Sequence, residues 1–510
     1  MTIDAFVEGA ASLGAASAAG AALVIDAPRA RARTMVVALV LAAVALEPLV
    51  WPKLDKLVSG RAAVAGAGGL AGLVVLAVLV VAIRRRPALF GILAFAALPF
   101  RVPLSIAGDT ANLLVPLYVV ILAGCLALAF GAPREHDRPP LTAVRRLDRV
   151  LAVALGLYAL QGLYSAELEQ AVKNICFFYV PFALLYRLLR EVPWTRELLI
   201  RCFQVVVVLA LFFAAVGFFE FGTGRLLISN AKVLHANEIK PYFRVNSLFF
   251  DPNIYGRFLA LTMIALATRL LWSERTRETA LIAGVLAVLW AGLVLSLSQS
   301  SFAALLVGLA VLAALRWRAL PVVLLTTAVA AGGVAVILVS PKTIGLKNSS
   351  TKALDTATSG RTNLISGGVN MFKDEPVWGI GSGGFQQEYR NREHITAKRI
   401  AAVSHTIPIT IAAEQGVIGL VVYAALLLSA LVVLFGGLRT ALRARPPPVV
   451  TLVRVVAAAA FVALVVHTLV YASFLEDPVT WVLLGLACAL RALPQDAASA
   501  ASRATDSSIS

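Results

Sequence analysis

The residues best suited to chemistry in this chain are basic or proton-accepting groups at the ends of apolar runs. His405 stands at the mouth of the run that follows Pro408. An imidazole is the side chain best matched to moving a proton near neutral pH. Arg244 precedes a second run, in PYFRVNSLFFDPNIYGRFLAL (241–261), and Arg361 opens SGRTNLISGGVNMF (359–372). A guanidinium can grip a phosphate with two parallel hydrogen bonds. A proton acceptor among such cations suits group transfer on an anionic substrate, a phosphate or pyrophosphate. Arg257, Lys398 and Arg399 are further basic candidates for substrate binding, with Asn253 and Glu414 as polar ones.

Each candidate has a plainer alternative. The arginines can be solvated loop residues, and His405 an interfacial histidine with no role. Asp251, Pro252 and Asn253 read first as a turn and N-cap. Glu414 lies nine residues past His405, so the two face one side only if the helix begins after His405, as Pro408 in its first turn would allow. An acidic group that far into a span is expensive, and is usually functional or paired. Gly416 and Gly419 beside it permit close helix packing. His394 is eleven residues from His405 in a charged stretch, so no zinc pair and no metal site is expected.

The elements that position these groups must be membrane helices. The chain has 510 residues, 60% of them hydrophobic, and a mean hydropathy of +0.86. A soluble fold cannot hide that much apolar surface. The net charge of +17 collects in short flanks such as Arg84–Arg86 and Arg439, Arg443 and Arg445. That pattern sets topology and meets anionic membrane lipid; it does not suit nucleic acid. Cys125, Cys176, Cys202 and Cys488 lie in or beside apolar runs, without metal spacing, and read as small core residues. The fold class expected is all-α, a polytopic membrane protein with about 12–14 transmembrane helices.

Residues 1–34 lack a basic n-region, so their Ala/Gly-rich stretch reads as a cytoplasmic, interfacial or disordered lead. Transmembrane helices are expected over 35–222, a catalytic region over 223–440, two last helices over 441–493 and a disordered tail over 494–510. Apolar runs at 88–107 and 112–131 read as two of the spans. Starting inside, because of Arg29, Arg31 and Arg33, most basic flanks fall on the cytoplasmic side and both termini with them. Loops 223–252 and 341–407 then lie outside. They keep Arg225, Lys232, Lys240, Arg244 and Arg361, Arg390, Arg392, Lys398, Arg399 there, against the usual bias, which calls for an anionic ligand on that face.

The longer loop has structure of its own. Leu364, Ile365, Val369 and Phe372 fall near one face of a short amphipathic helix ended by Asp374, Glu375 and Pro376. VWGIGSGGF (377–385) matches G-x-G-x-x-G in letters only, with no strand–turn–helix unit around it. Its glycines serve a tight turn or a close backbone approach.

Four segments, in order, resemble the O-antigen ligase and polymerase superfamily of bacterial integral membrane glycosyltransferases. They are SLFFDPNIYGRFLAL, LSLSQSSFAALLVGL (295–309), SGRTNLISGGVNMFKDEPVWGIGSGGF (359–385) and HTIPITIAAEQGVIGL (405–420). Together they cover roughly residues 240–440. Two positions depart from the family pattern. Gln299 follows Ser298 where an arginine is common, and Thr406 replaces an asparagine. The resemblance implies a GT-C-like fold in the bacterial inner membrane, with its active face extracytoplasmic. It implies that an acceptor hydroxyl displaces undecaprenyl pyrophosphate from a lipid-linked glycan. His405 would be the base, Arg361 and Arg244 would hold the pyrophosphate, and neither cofactor nor metal would take part. The acceptor stays open: lipid A–core, another repeat unit or a protein hydroxyl. A transporter or flippase for such lipids is the rival of another class. It would want charges deep within the spans.

Overall fold

The computed structural model describes residues 3–58, 62–106, 109–131, 141–228, 233–234, 237–238, 242–317, 361–394, 406–471 and 473–492. Among these the chain is an all-α bundle with one short hairpin. The N-terminal part comprises α1 (Ile3–Val24), α2 (Pro28–Val58), α3 (Ala62–Arg85), α4 (Ala88–Ala97), β1 (Val102–Ile106), β2 (Asp109–Leu113), α5 (Val115–Ala129) and α6 (Thr142–Gly162). Then follow α7 (Leu168–Asn174), a π-helical turn at Ile175–Tyr179, α8 (Val180–Leu189) and α9 (Arg196–Thr223). The remainder is α10 (Pro252–Leu271), α11 (Thr276–Ser296), α12 (Gln299–Arg316), α13 (Arg361–Asp374), α14 (Phe385–Arg392), α15 (Ile407–Phe435), α16 (Leu438–Ala441), α17 (Val449–Thr468) and α18 (Pro478–Ala492).

Among the described residues, ten helical segments are long and apolar enough to cross a membrane, and three shorter apolar helices accompany them. The chain is a multi-pass membrane protein. Small residues set its packing. A Cβ on Gly308 of α12 would lie 2.2 Å from the Ile264 side chain of α10, so that side chain fills the space the glycine leaves. All four cysteines are buried and unpaired with one another.

Three sequence expectations change. The lead is a packed helix: Ala15, Ala16, Ala19 and Ala22 of α1 are fully buried, and a Cβ on Gly20 would come within 3.3 Å of the Ala152 backbone. The Ala/Gly stripe that looked featureless is a contact surface. The apolar run 88–107 is not one helix. At 10 residues α4 reaches only roughly 15 Å. Val102–Ile106 pairs antiparallel with Asp109–Leu113. Pro99 and Pro103 deny the helix its interior amides. In α13 the expected helix forms, but Ile365 is exposed and the buried face centres on Leu364, Gly367, Gly368 and Met371. A Cβ on Gly367 would meet the Tyr389 ring at 2.5 Å, and one on Gly368 the Ile409 side chain at 2.6 Å. The two glycines allow the close approach of α13 to α14 and α15, and Leu364 and Met371 pack there with Phe385, Tyr389 and Ala413.

Candidate active site

One end of the bundle gathers the polar groups. It is the end where α4, α9, α11 and α17 finish and where α10, α12, α15 and α18 begin. Asp251 caps α10, its Oδ1 accepting from the Asn253 amide at 2.7 Å. Ser298 opens α12 and donates to Asn253 Oδ1 at 2.9 Å. Two helix N-termini, each with unsatisfied amides and a partial positive charge, therefore converge on Asn253.

Arg244 enters this convergence from the preceding segment. Its Nε donates to the Ser296 carbonyl at 3.1 Å and its Nη2 to Asn253 Oδ1 at 3.4 Å. Its backbone is held by Asn237, whose side chain accepts from the Arg244 amide and donates to its carbonyl, both at 3.1 Å. Glu220 of α9 fixes the chain just beyond Arg244, accepting from the Asn246 and Ser247 amides at 3.2 and 2.8 Å. Ser247, Phe250 and Leu297 all adopt positive φ. Such backbone strain persists only where surroundings enforce it, and it clusters at functional sites.

A hydrogen-bonded chain runs inward from Ser298. Its Oγ lies 2.8 Å from Ser301 Oγ and 3.3 Å from Ser300 Oγ, which in turn meets His467 Nε2 at 3.2 Å. His467 is fully buried near the end of α17. Arg257, one turn beyond Asn253 on α10, pairs with Asp477 Oδ2 at 2.6 Å and sits 5.9 Å from the Tyr471 ring centroid. Tyr471 donates to Asp251 Oδ2 at 3.3 Å. The serines, Asn253, Arg244, Arg257, His467, Tyr471, Asp251 and Asp477 thus form one network.

Glu414 belongs to a different contact. The α15 helix breaks at Gly416 (φ 62°, ψ −159°). The break leaves carbonyls and an amide without helical partners, and the glycine loop after α13 fills them. Ile380 and Gly381 donate to the Ala413 and Glu414 carbonyls at 3.0 Å, and Val417 donates to the Pro376 carbonyl at 2.8 Å. Gly379, Gly381 and Gly383 all have positive φ. The Glu414 carboxylate accepts from the Gly383 and Phe385 amides at 2.9 and 3.2 Å, anchoring the start of α14. Gln161 and Tyr164 of the α6 end donate to the Trp378 carbonyl at 2.9 and 2.8 Å. Glu414, offered by the sequence as a substrate contact, is committed to this backbone.

His405, Lys398 and Arg399 lie outside the described residues. Arg361 is the first residue of α13; its backbone alone is described. α15 does begin after His405, and Thr406, next along the chain, donates from Oγ1 to the Leu469 carbonyl at 3.0 Å. Gln299 is exposed, away from the Ser298–Ser300–Ser301 face.

Against known proteins, one region gives a match. Residues 283–424 match the O-antigen ligase family. That stretch is 142 of the chain's 510 residues, and it supports the resemblance to the O-antigen ligase superfamily there. No curated protein matches the chain. The ligase match takes in Ser298, Ser300, Ser301, the glycine loop and Glu414, whereas Arg244, Asn253, Arg257, His467 and Asp477 lie beyond its limits. The ligase-type region and its flanks are thus joined through side chains.

Sequence reading had no place for His467, Tyr471 or Asp477. The first had a signal, an ionisable residue inside the apolar run 449–472. Tyr471 lies in the same run, and Asp477 stands in a short connection where nothing but the fold brings it near α10.

Proposed function

We propose that the chain is a membrane glycosyltransferase of O-antigen ligase type. It moves a glycan from an undecaprenyl-pyrophosphate carrier to an acceptor hydroxyl on the extracytoplasmic face of the bacterial inner membrane. The observation that carries the reading is Arg244, fixed by Ser296 and Asn253 where α10 and α12 both begin. A guanidinium and two helix N-termini together suit a phosphate.

In this reaction the acceptor oxygen forms a bond to the anomeric carbon. The bond from that carbon to the diphosphate oxygen breaks, and its electron pair leaves with the diphosphate. Negative charge grows there, and cations already in place stabilise it without reorganising. Arg244 and Arg361 hold that role, with Lys398 and Arg399 drawing the anion toward the site. His405 takes the acceptor proton, and no metal takes part. Asn253 and Ser298 orient Arg244, and Glu414 holds the glycine loop between α13 and α15. Lipid A–core, a further repeat unit and a protein hydroxyl all remain acceptors of the right chemistry.

The test is transfer from a purified lipid-linked donor, with and without EDTA, by wild type, His405→Ala and His405→Arg. A base at 405 makes both variants slower by roughly 10²–10⁴-fold, with chelation harmless. An active His405→Arg would show a cation in place of a base, and loss on chelation would overturn the metal-free route. Impermeant labelling of single cysteines at Ser229 and Ser350 in intact cells checks the face. Labelling of both supports it; protection of both until the membrane is opened refutes it.

A further inference from the structure

A cavity of about 540 Å³ opens at the end of the bundle away from the Arg244 network. There α3 ends, α4 begins, and α5 and α8 finish. Phe90 of α4, Ala127 and Leu128 of α5 and Leu188 of α8 line it with apolar surface. Gly124 lets this wall close: a Cβ there would meet the Phe90 ring at 2.6 Å and the Leu188 side chain at 3.0 Å. The stretch of α3 that leads to the cavity faces outward, with Leu70, Leu73, Val74, Val75 and Val78 between 53% and 65% exposed. In a multi-pass membrane protein such an apolar face meets acyl chains.

Positive charge gathers at the same cavity. Arg84 and Arg85, in the last turn of α3, line it and are exposed. Neither makes an ion pair among the described residues. Glu191 is the one acid that lines it among the described residues. Its Oε1 is already shared by Arg31 Nη2 at 2.9 Å and Arg187 Nη1 at 2.8 Å. Both arginines are buried, and the Nε of each has no hydrogen-bond partner among the described residues. Two guanidinium groups on one carboxylate leave this wall positive, with more donors than acceptors. An anion in the cavity is therefore attracted by Arg84 and Arg85 and not repelled by Glu191.

We propose that this cavity binds one anionic glycerophospholipid of the surrounding bilayer, its phosphate on Arg84 and Arg85 and its first acyl carbons against Phe90, Leu128 and Leu188. Charge complementarity selects the headgroup. The apolar wall and the outward face of α3 select a lipid over a soluble phosphate. Basic pockets between transmembrane helices take such headgroups. The lipid ties α3, only 6% buried over Gly68–Arg85, to α4, α5 and α8. None of these residues belongs to the Arg244 network, so the lipid site stands whether or not the chain transfers glycan.

The experiment counts retained lipids by native mass spectrometry of the purified full chain, titrated with phosphatidylglycerol or with phosphatidylcholine. Wild type is expected to retain a single phosphatidylglycerol in preference to phosphatidylcholine. Arg84→Gln combined with Arg85→Gln should weaken that binding by roughly tenfold or more. Val81→Trp, at an exposed lining position, adds bulk in the cavity while keeping both charges, and should lose the lipid as well. Arg443→Gln combined with Arg445→Gln removes as much charge from another exposed flank and should change nothing. Wild-type retention in the Arg84 and Arg85 double variant or in Val81→Trp overturns the site, as does equal binding of the two lipids. An equal loss in the Arg443 and Arg445 double variant overturns it too, because it shows a general attraction to the surface. Displacement of the lipid by excess free glycerol phosphate overturns the choice of occupant. If the Arg84 and Arg85 double variant does not accumulate, Val81→Trp decides.

Discussion

Glu414 and Gly383 are 31 residues apart in sequence, and the carboxylate of one accepts the amide hydrogen of the other at 2.9 Å. With Phe385 as second donor, this acid works as a backbone clamp across the break in α15. Glu414→Ala is therefore expected to leave two buried amides without partners and lower stability by about 2–4 kcal/mol. Glu414→Gln keeps one acceptor oxygen and should lose about half as much. Thermal unfolding of the purified variants in detergent decides this. If Glu414→Ala melts like wild type and loses only donor affinity, Glu414 is a substrate contact after all.

The break itself depends on one residue. Gly416 has a φ/ψ pair that side chains do not adopt, and its Cβ would stand 2.3 Å from the Val377 carbonyl oxygen. Gly416→Ala is expected to lower stability by more than about 2 kcal/mol, from strain and collision together. Gly284, on an open face of α11 with nothing within 4 Å, is the matched control. Gly284→Ala should be neutral or stabilise by up to about 1 kcal/mol. Equal accumulation and equal melting of the two variants would refute the role given to Gly416.

Legibility followed the range of the physics. The class, the helix after Arg361, the Asp251 cap and the glycine turn were readable because each depends on local chemistry: apolar length, a capping carboxylate, a residue free to adopt positive φ. The α1 lead, the Val102–Leu113 hairpin and the buried face of α13 were not. In each the deciding partner is remote, as Ala152 is for Gly20 and Ile409 for Gly368. The site divides the same way. Arg244 and Asn253 announced themselves at a span mouth, whereas His467 joins through Ser300, 167 residues away. Glu414 was legible as a buried acid in need of a partner, but the Gly383 and Phe385 amides that meet it lie 31 and 29 residues away and were not.

Glu476 offers a pH handle outside the helices. Burial holds its carboxyl above the ordinary carboxylate range, while Tyr179 donates to it at 2.8 Å. The folded state therefore binds this proton more tightly than the unfolded chain. The stability it contributes is fully present below the unfolded value, about pH 4.5, and is lost as pH rises through the raised folded one. Melting temperature should fall with rising pH across that window in wild type and fall less in Glu476→Gln. Parallel curves would remove Glu476 from the pH dependence.

The decisive measurement is the rate of glycan transfer from a purified undecaprenyl-pyrophosphate-linked donor by reconstituted wild type, Arg244→Ala, Arg244→Lys and Ser298→Ala. If Arg244 holds the leaving diphosphate, its removal should cost about 2.7–4 kcal/mol of transition-state stabilisation, a rate loss of roughly 10²–10³-fold. Lysine should rescue poorly, because it cannot make the forked contact. Ser298→Ala, which frees Asn253 Oδ1 from its 2.9 Å partner, should fall in between. Near wild-type transfer by Arg244→Ala, in protein that is folded and inserted, would contradict the assignment of Arg244 to the leaving diphosphate.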